Sequence, residues 1–116
     1  MQPVIDVRTD GDGRDLELDE VEGRAVGLPV SVIRISTDRN GAGPALHRHP
    51  YPETFIVHRG EALFTVADET FVAHGGQIYV APALAPHRFE KTGTERLEMT
   101  NIHANDVFIT EWLDGR

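Results

Sequence analysis

From Leu28 to Leu113 the chain is a succession of short apolar and β-branched runs broken by Gly, Pro and Asn. LPVSVIRIS, starting at Leu28, is the first sharp one and predicts a strand. A loop follows from Asp38 to Pro44. ETFIVHRG, EALFTVAD, ETFVAHGG and QIYVAP then read as strands, with turns at Arg59-Gly60, Asp68-Glu69 and His74-Gly75-Gly76. PHRFEKTG, ERLEMTNIHA and DVFITEWL complete the series. No run keeps an apolar period of 3.6 residues, apart from a weak helical possibility at Ile109 to Leu113. Short strands at even spacing with Gly and Pro turns predict an all-β sandwich or barrel. Residues 1–116 are read as one domain, with residues 1–27 supplying edge strands and turns. Pro3 to Val7 is expected as a short edge strand and Asp10 to Gly13 as a solvated acidic turn. Leu16, Leu18 and Val21 suggest a loose strand.

Chemistry concentrates in GAGPALHRHPYPETFIVHRG, from Gly41 to Gly60. Alternate residues of an extended chain point the same way, so His47 and His49 aim their rings at one spot. Pro50 and Pro52 stiffen the next bend, and Glu53 enters the following strand where it can face that spot. Two imidazoles and a carboxylate on a stiff scaffold suit a divalent transition metal. Further on, Pro86 restricts the backbone leading into the strand that starts at His87. In an antiparallel barrel that strand can lie across from the one carrying Glu53, and His87 then completes a set of three imidazoles and one carboxylate. One or two coordination positions stay open for water, substrate or dioxygen. Such a set suits Fe, Mn, Ni, Co, Zn or Cu, and not calcium, which prefers oxygen ligands throughout.

Composition narrows the partners. The 116 residues contain no cysteine, which excludes disulfides, thiolate metal sites and a cysteine nucleophile. The formal net charge of −8 argues against a nucleic-acid or anionic-membrane surface. The longest nearly apolar run, Ile78 to Pro86, is too short to span a bilayer and contains two prolines. The first residues show neither a basic nor an apolar leader region, so a cytoplasmic location is expected.

The two histidine segments resemble the paired motifs of the cupin superfamily, small single-domain proteins of the double-stranded β-helix, or jelly-roll, type. The first motif is G, five residues, H-x-H, three or four residues, E, six residues, G. Gly41, His47, His49, Glu53 and Gly60 match it in full. The second is G, five residues, P-x-G, two residues, H, three residues, N. Gly76, Pro82 and His87 match, while Leu84 stands for the middle glycine and Lys91 for the asparagine. Leu84 disfavours a positive φ, so that loop is expected to differ from the family's. The resemblance covers about residues 28–113. It implies a jelly-roll barrel holding one divalent transition metal ion on His47, His49, Glu53 and His87 in one mouth, and, by analogy with similar small members, a homodimer.

Other residues are read more modestly. His58 falls on the opposite face of its strand from Glu53 and reads as a surface histidine. His74 reads as a turn residue. Phe55, Val57 and Phe89 share the inward faces of the ligand strands and fill the barrel. His103 shares a face with Leu97, Met99 and Asn101, where His103 and Asn101 are candidates for lining a pocket. Tyr51 is placed at the rim as an exposed aromatic within reach of a ligand, Trp112 as a packing anchor, and Arg88 and Lys91 as solvated. The leading functional reading is a metal-dependent, dioxygenase-like oxidoreductase on a small organic substrate, with aromatic molecules among the candidates. The alternatives are an isomerase, lyase or cyclase using the metal as Lewis acid, and a non-catalytic binder of metal and small ligand. Glu53, His103 and Tyr51 are the candidate acid/base residues.

Overall fold

Along the central strands of the computed structural model, every second residue is buried, as the apolar alternation requires. The structure describes residues 8–11 and 16–113. Its strands are β1 (Arg8–Gly11), β2 (Leu16–Val21), β3 (Ser31–Thr37), β4 (His47–Arg48), β5 (Glu53–Arg59), β6 (Glu61–Val66), β7 (Glu69–His74), β8 (Gln77–Ala81), β9 (His87–Thr92), β10 (Leu97–His103) and β11 (Glu111–Trp112). They form two antiparallel sheets, in the orders β1-β2-β3-β10-β5-β8 and β11-β4-β9-β6-β7. The chain crosses repeatedly from one sheet to the other after β3, which closes the two faces around a common interior in the jelly-roll manner. No α-helix occurs among the described residues, and no helix is long and apolar enough to cross a membrane.

The far end of the interior is a solid apolar core. Phe55, Phe64 and Phe89 are buried against one another, and Phe71 and Tyr79 pack on them. Leu97, Met99, Val57 and Ala62 fill the remaining space. Gly60, the last residue of the first motif, has φ +78°, and a Cβ there would lie 2.5 Å from the Arg96 carbonyl oxygen. Only glycine fits that turn between β5 and β6.

Register then carries the pattern to the mouth. His47 pairs with His87 on one side and Trp112 on the other. In the facing sheet, Glu53 pairs with His103 and Ala81. The strand of His87 therefore lies across the interior from Glu53, in the opposite sheet.

Several boundaries differ from the sequence reading. Asp10 and Gly11 belong to β1, which pairs with β2, so this part of the expected acidic turn is strand; Asp12, Gly13 and the segment Pro3 to Val7 lie outside the described residues. The third strand begins at Ser31, because a 3₁₀ turn at Gly23–Ala25 and Gly27 at φ +75° occupy the preceding stretch. In DVFITEWL only Glu111 and Trp112 pair, and no helix forms over Ile109 to Leu113. Leu84 does take a positive φ, +68°. Its N–H donates to the His49 carbonyl at 2.8 Å, so the loop keeps the glycine-type conformation at the expense of strain in a leucine.

Candidate metal centre

His47, His49, Glu53 and His87 are all buried, and one ligand atom from each lies within 4.8 Å of the others. Short elements deliver them. Strand β4 presents His47, and the alternation continues one step past it to His49. Pro50 and Pro52 turn the chain into β5, whose first residue is Glu53, while Pro86 leads into β9, whose first residue is His87.

The protonation pattern suits metal binding. The Nδ1–H of His47 donates to the Ala45 carbonyl at 2.8 Å, that of His49 to the Ile109 carbonyl at 2.8 Å, and that of His87 to the Ala85 carbonyl at 2.9 Å. A carbonyl only accepts, so each ring carries a proton on Nδ1 and turns Nε2 to the interior, the nitrogen through which a neutral ring would bind a metal. His49 Nε2 lies 3.0 Å from Glu53 Oε1 yet has no hydrogen-bond partner, as expected of an atom with nothing to donate. His87 Nε2 sits 3.2 Å from the same oxygen. Lone pairs this close in a buried site call for a cation between them, and the nitrogen-rich donor set fits a divalent transition metal. Burial lowers the His47 pKa from 6.5 to about 4, overriding the hydrogen bond to Ala45, and the neighbouring His87 and His49 lower it further. That ring is therefore neutral at physiological pH, as a candidate ligand must be.

His103 is protonated the other way round. The buried Tyr51 hydroxyl donates to His103 Nδ1 at 2.6 Å and accepts the Ile109 N–H at 3.1 Å. His103 Nε2–H then points at Glu53 Oε2, 3.2 Å away. His103 therefore steers the carboxylate instead of joining the lone-pair set. Burial by itself would raise the Glu53 pKa, but the His103 Nε2–H beside it holds it well below the usual carboxylate range. Burial also raises the Tyr51 pKa, against the Ile109 hydrogen bond, so the phenol stays protonated.

The rim placement of Tyr51 is thus corrected. Its ring is buried and stacks on His49 at 5.1 Å with an interplanar angle of 7°. Lys91 is also buried, not solvated; its ammonium donates to Asn40 Oδ1 at 2.6 Å and to the Gly93 carbonyl at 3.1 Å. It supports the loop before β4, far along β9 from His87. Trp112 is partly exposed and lies 5.1 Å from the His47 ring. His58 and His74 stand on the surface, apart from the centre. Sequence reasoning missed the segment after β10, where the Ile109 backbone holds both His49 and Tyr51. Nothing in the residue type signals this, because any amino acid except proline supplies those two groups.

Three of the candidate ligands, His47, His49 and Glu53, line a cavity of about 520 Å³ between the sheets. Ile33, Ile35, Phe55, Phe89, Phe108 and Trp112 supply much of its wall, and Asn101 and His103 add polar groups.

A family model described as "Cupin domain" matches residues 35–103. A sequence comparison with curated proteins finds no match. Among solved structures, the oxalate decarboxylase of Lactobacillus farciminis in its formate complex is similar with a TM-score of 0.80 at 20% identity, over 92% of this chain and 33% of that one. The oxalate decarboxylase of Bacillus subtilis at pH 4.6 gives 0.79 at 20% identity, over 93% and 30%. A structure of the same Bacillus subtilis enzyme described for its Mn(II) centres gives 0.75 at 23% identity, over 85% and 28%. The chain thus spans about a third of the length of these enzymes, and the likeness is one of fold. With the family match covering both histidine segments, the chain belongs to the cupin-domain family.

Proposed function

We propose that this protein is a metal-dependent enzyme acting on a small, largely apolar organic molecule, with dioxygenase chemistry as its reaction. The observation that carries the reading is the convergence of three imidazoles and one carboxylate in a buried cluster, with His47, His49 and Glu53 on the wall of a mainly apolar cavity. His47, His49, Glu53 and His87 would hold a divalent transition metal, which when bound supplies Lewis acidity and, for a redox-active ion, electron exchange with dioxygen and substrate. Phe55, Phe89 and Phe108 exclude water from the bound molecule and shape the space it occupies. His103 holds a proton at Nε2 beside Glu53, and Tyr51 fixes that arrangement from behind.

A second reading, an isomerase, lyase or cyclase, draws support from the same chain of contacts. Tyr51, His103 and Glu53 give a proton a continuous hydrogen-bonded route at the cavity wall. A cytoplasmic homodimer completes the proposal.

The test begins with metal analysis of the untagged protein beside His49→Ala. Near-stoichiometric metal in the parent and loss in the variant are expected. Loaded protein is then screened on phenols and enols with an oxygen electrode. Oxygen uptake with product formation supports the dioxygenase; turnover without oxygen supports the second reading. Saturable binding without turnover makes the protein a binder, and a parent that takes up no metal defeats the proposal.

A further inference from the structure

The cavity has a polar group that neither the candidate ligands nor their supports use. Asn101 lies mid-way along β10, paired with Ile33 on one side and Phe55 on the other. It lines the cavity, is 2% exposed, and its Oδ1 has no hydrogen-bond partner. The inward neighbours on the same strand, Leu97 and Met99, are apolar. An unsatisfied buried amide oxygen destabilises the fold, and an apolar side chain at this position would avoid that cost. Asn101 is one inward position beyond His103, about 7 Å along the strand, so it faces the part of the cavity away from Glu53. The charge of the lining adds a second constraint. Glu20 and Glu53 are acidic, and no lysine or arginine lines the cavity among the described residues. A dicarboxylate would find no cationic side chain there, whereas a neutral molecule would face no like charge.

We propose that Asn101 determines specificity by hydrogen-bonding the hydroxyl group of a neutral, mainly apolar ligand of phenol type. The volume of about 520 Å³ leaves room for a molecule that touches Asn101 at one end and the four-residue centre at the other. The contact at the centre rests on the function proposed above; the contact at Asn101 does not.

The probes are p-cresol and p-xylene, nearly the same shape and differing in one hydroxyl. Their binding is measured by ligand-observed NMR on metal-depleted parent and Asn101→Leu protein, so that a failure of the metal reading leaves the result intact. The parent is expected to prefer p-cresol by ~10-fold or more, since a site built around a polar group rejects the analogue lacking its partner. Asn101→Leu is expected to lose or reverse that preference and to melt at the same or a higher temperature. Oxalate is expected not to displace p-cresol. The proposal is overturned if neither probe binds, if the parent shows no preference, if the variant keeps it, or if oxalate competes. A variant that melts several degrees lower would likewise overturn it, by making Asn101 a structural residue.

Discussion

Tyr51 shows how much one hydroxyl can organise. Its oxygen donates to His103 and accepts from Ile109, and its ring lies flat on His49. Tyr51→Phe keeps the stacking and removes the oxygen, leaving His103 Nδ1 and the Ile109 N–H without that partner. The expected loss of stability is about 1–3 kcal/mol, read by thermal or urea unfolding. Because the same hydroxyl steers Glu53 through His103, metal affinity in a chelator competition is expected to fall ~10–100-fold. An unchanged affinity would remove His103 from any role in positioning Glu53. Arg48→Ala offers the contrast: its partner Glu111 is exposed, and less than about 1 kcal/mol should be lost. The candidate ligands are legible in the sequence because their spacing is local: His47 and His49 differ by two positions, and the two prolines set the path from His49 to Glu53. Tyr51 is not legible in this way, because its partner His103 is 52 residues further on. Lys91 escapes for a similar reason, since its cage comes partly from Asn40, in a loop 51 residues earlier.

At the scale of elements, strands with a clean two-residue period can be read directly, and β5, β6, β9 and β10 fall close to where their alternation puts them. Short elements cannot. Strand β4 has two residues and exists because His47 pairs with His87 and Trp112, contacts that no local pattern encodes. Leu84 suggests that the loop between β8 and β9 abandons the family conformation. The residue takes a glycine-type positive φ all the same, because the His49 carbonyl receives the Leu84 N–H, and the leucine side chain points into solvent. A left-handed conformation costs a non-glycine residue about 1–2 kcal/mol, partly offset by the lower entropy of its unfolded state relative to glycine. Leu84→Gly is therefore expected to stabilise the fold by up to about 1 kcal/mol without changing metal uptake. Equilibrium unfolding of the two proteins checks it, and a less stable variant would show that the leucine is not strained.

For the molecule as a whole, the candidate centre acts as a clasp between the two sheets. His47 and His87 come from one sheet, Glu53 from the other, and His49 from the bend joining them. The phenylalanine core fills the far end of the interior, so the sheets at the mouth are held mainly by these polar groups and by the C-terminal segment that covers them. A metal ion bound there stabilises only the folded chain, because the four residues converge only after both sheets have formed. At a free metal concentration 100 times the dissociation constant, the gain is about 2.7 kcal/mol. For a domain of this size, that corresponds to a rise in melting temperature of about 10 °C. Calorimetry of loaded and chelator-treated protein should show that difference, and it should grow with metal concentration. His87→Ala removes one candidate ligand from β9, and the Ala85 carbonyl that loses its partner belongs to a half-buried residue. The variant should therefore fold, with a melting temperature that responds little to metal. If parent and variant respond equally, the ion binds elsewhere on this acidic chain, and the clasp is held without it, by packing and the contact of His103 with Glu53.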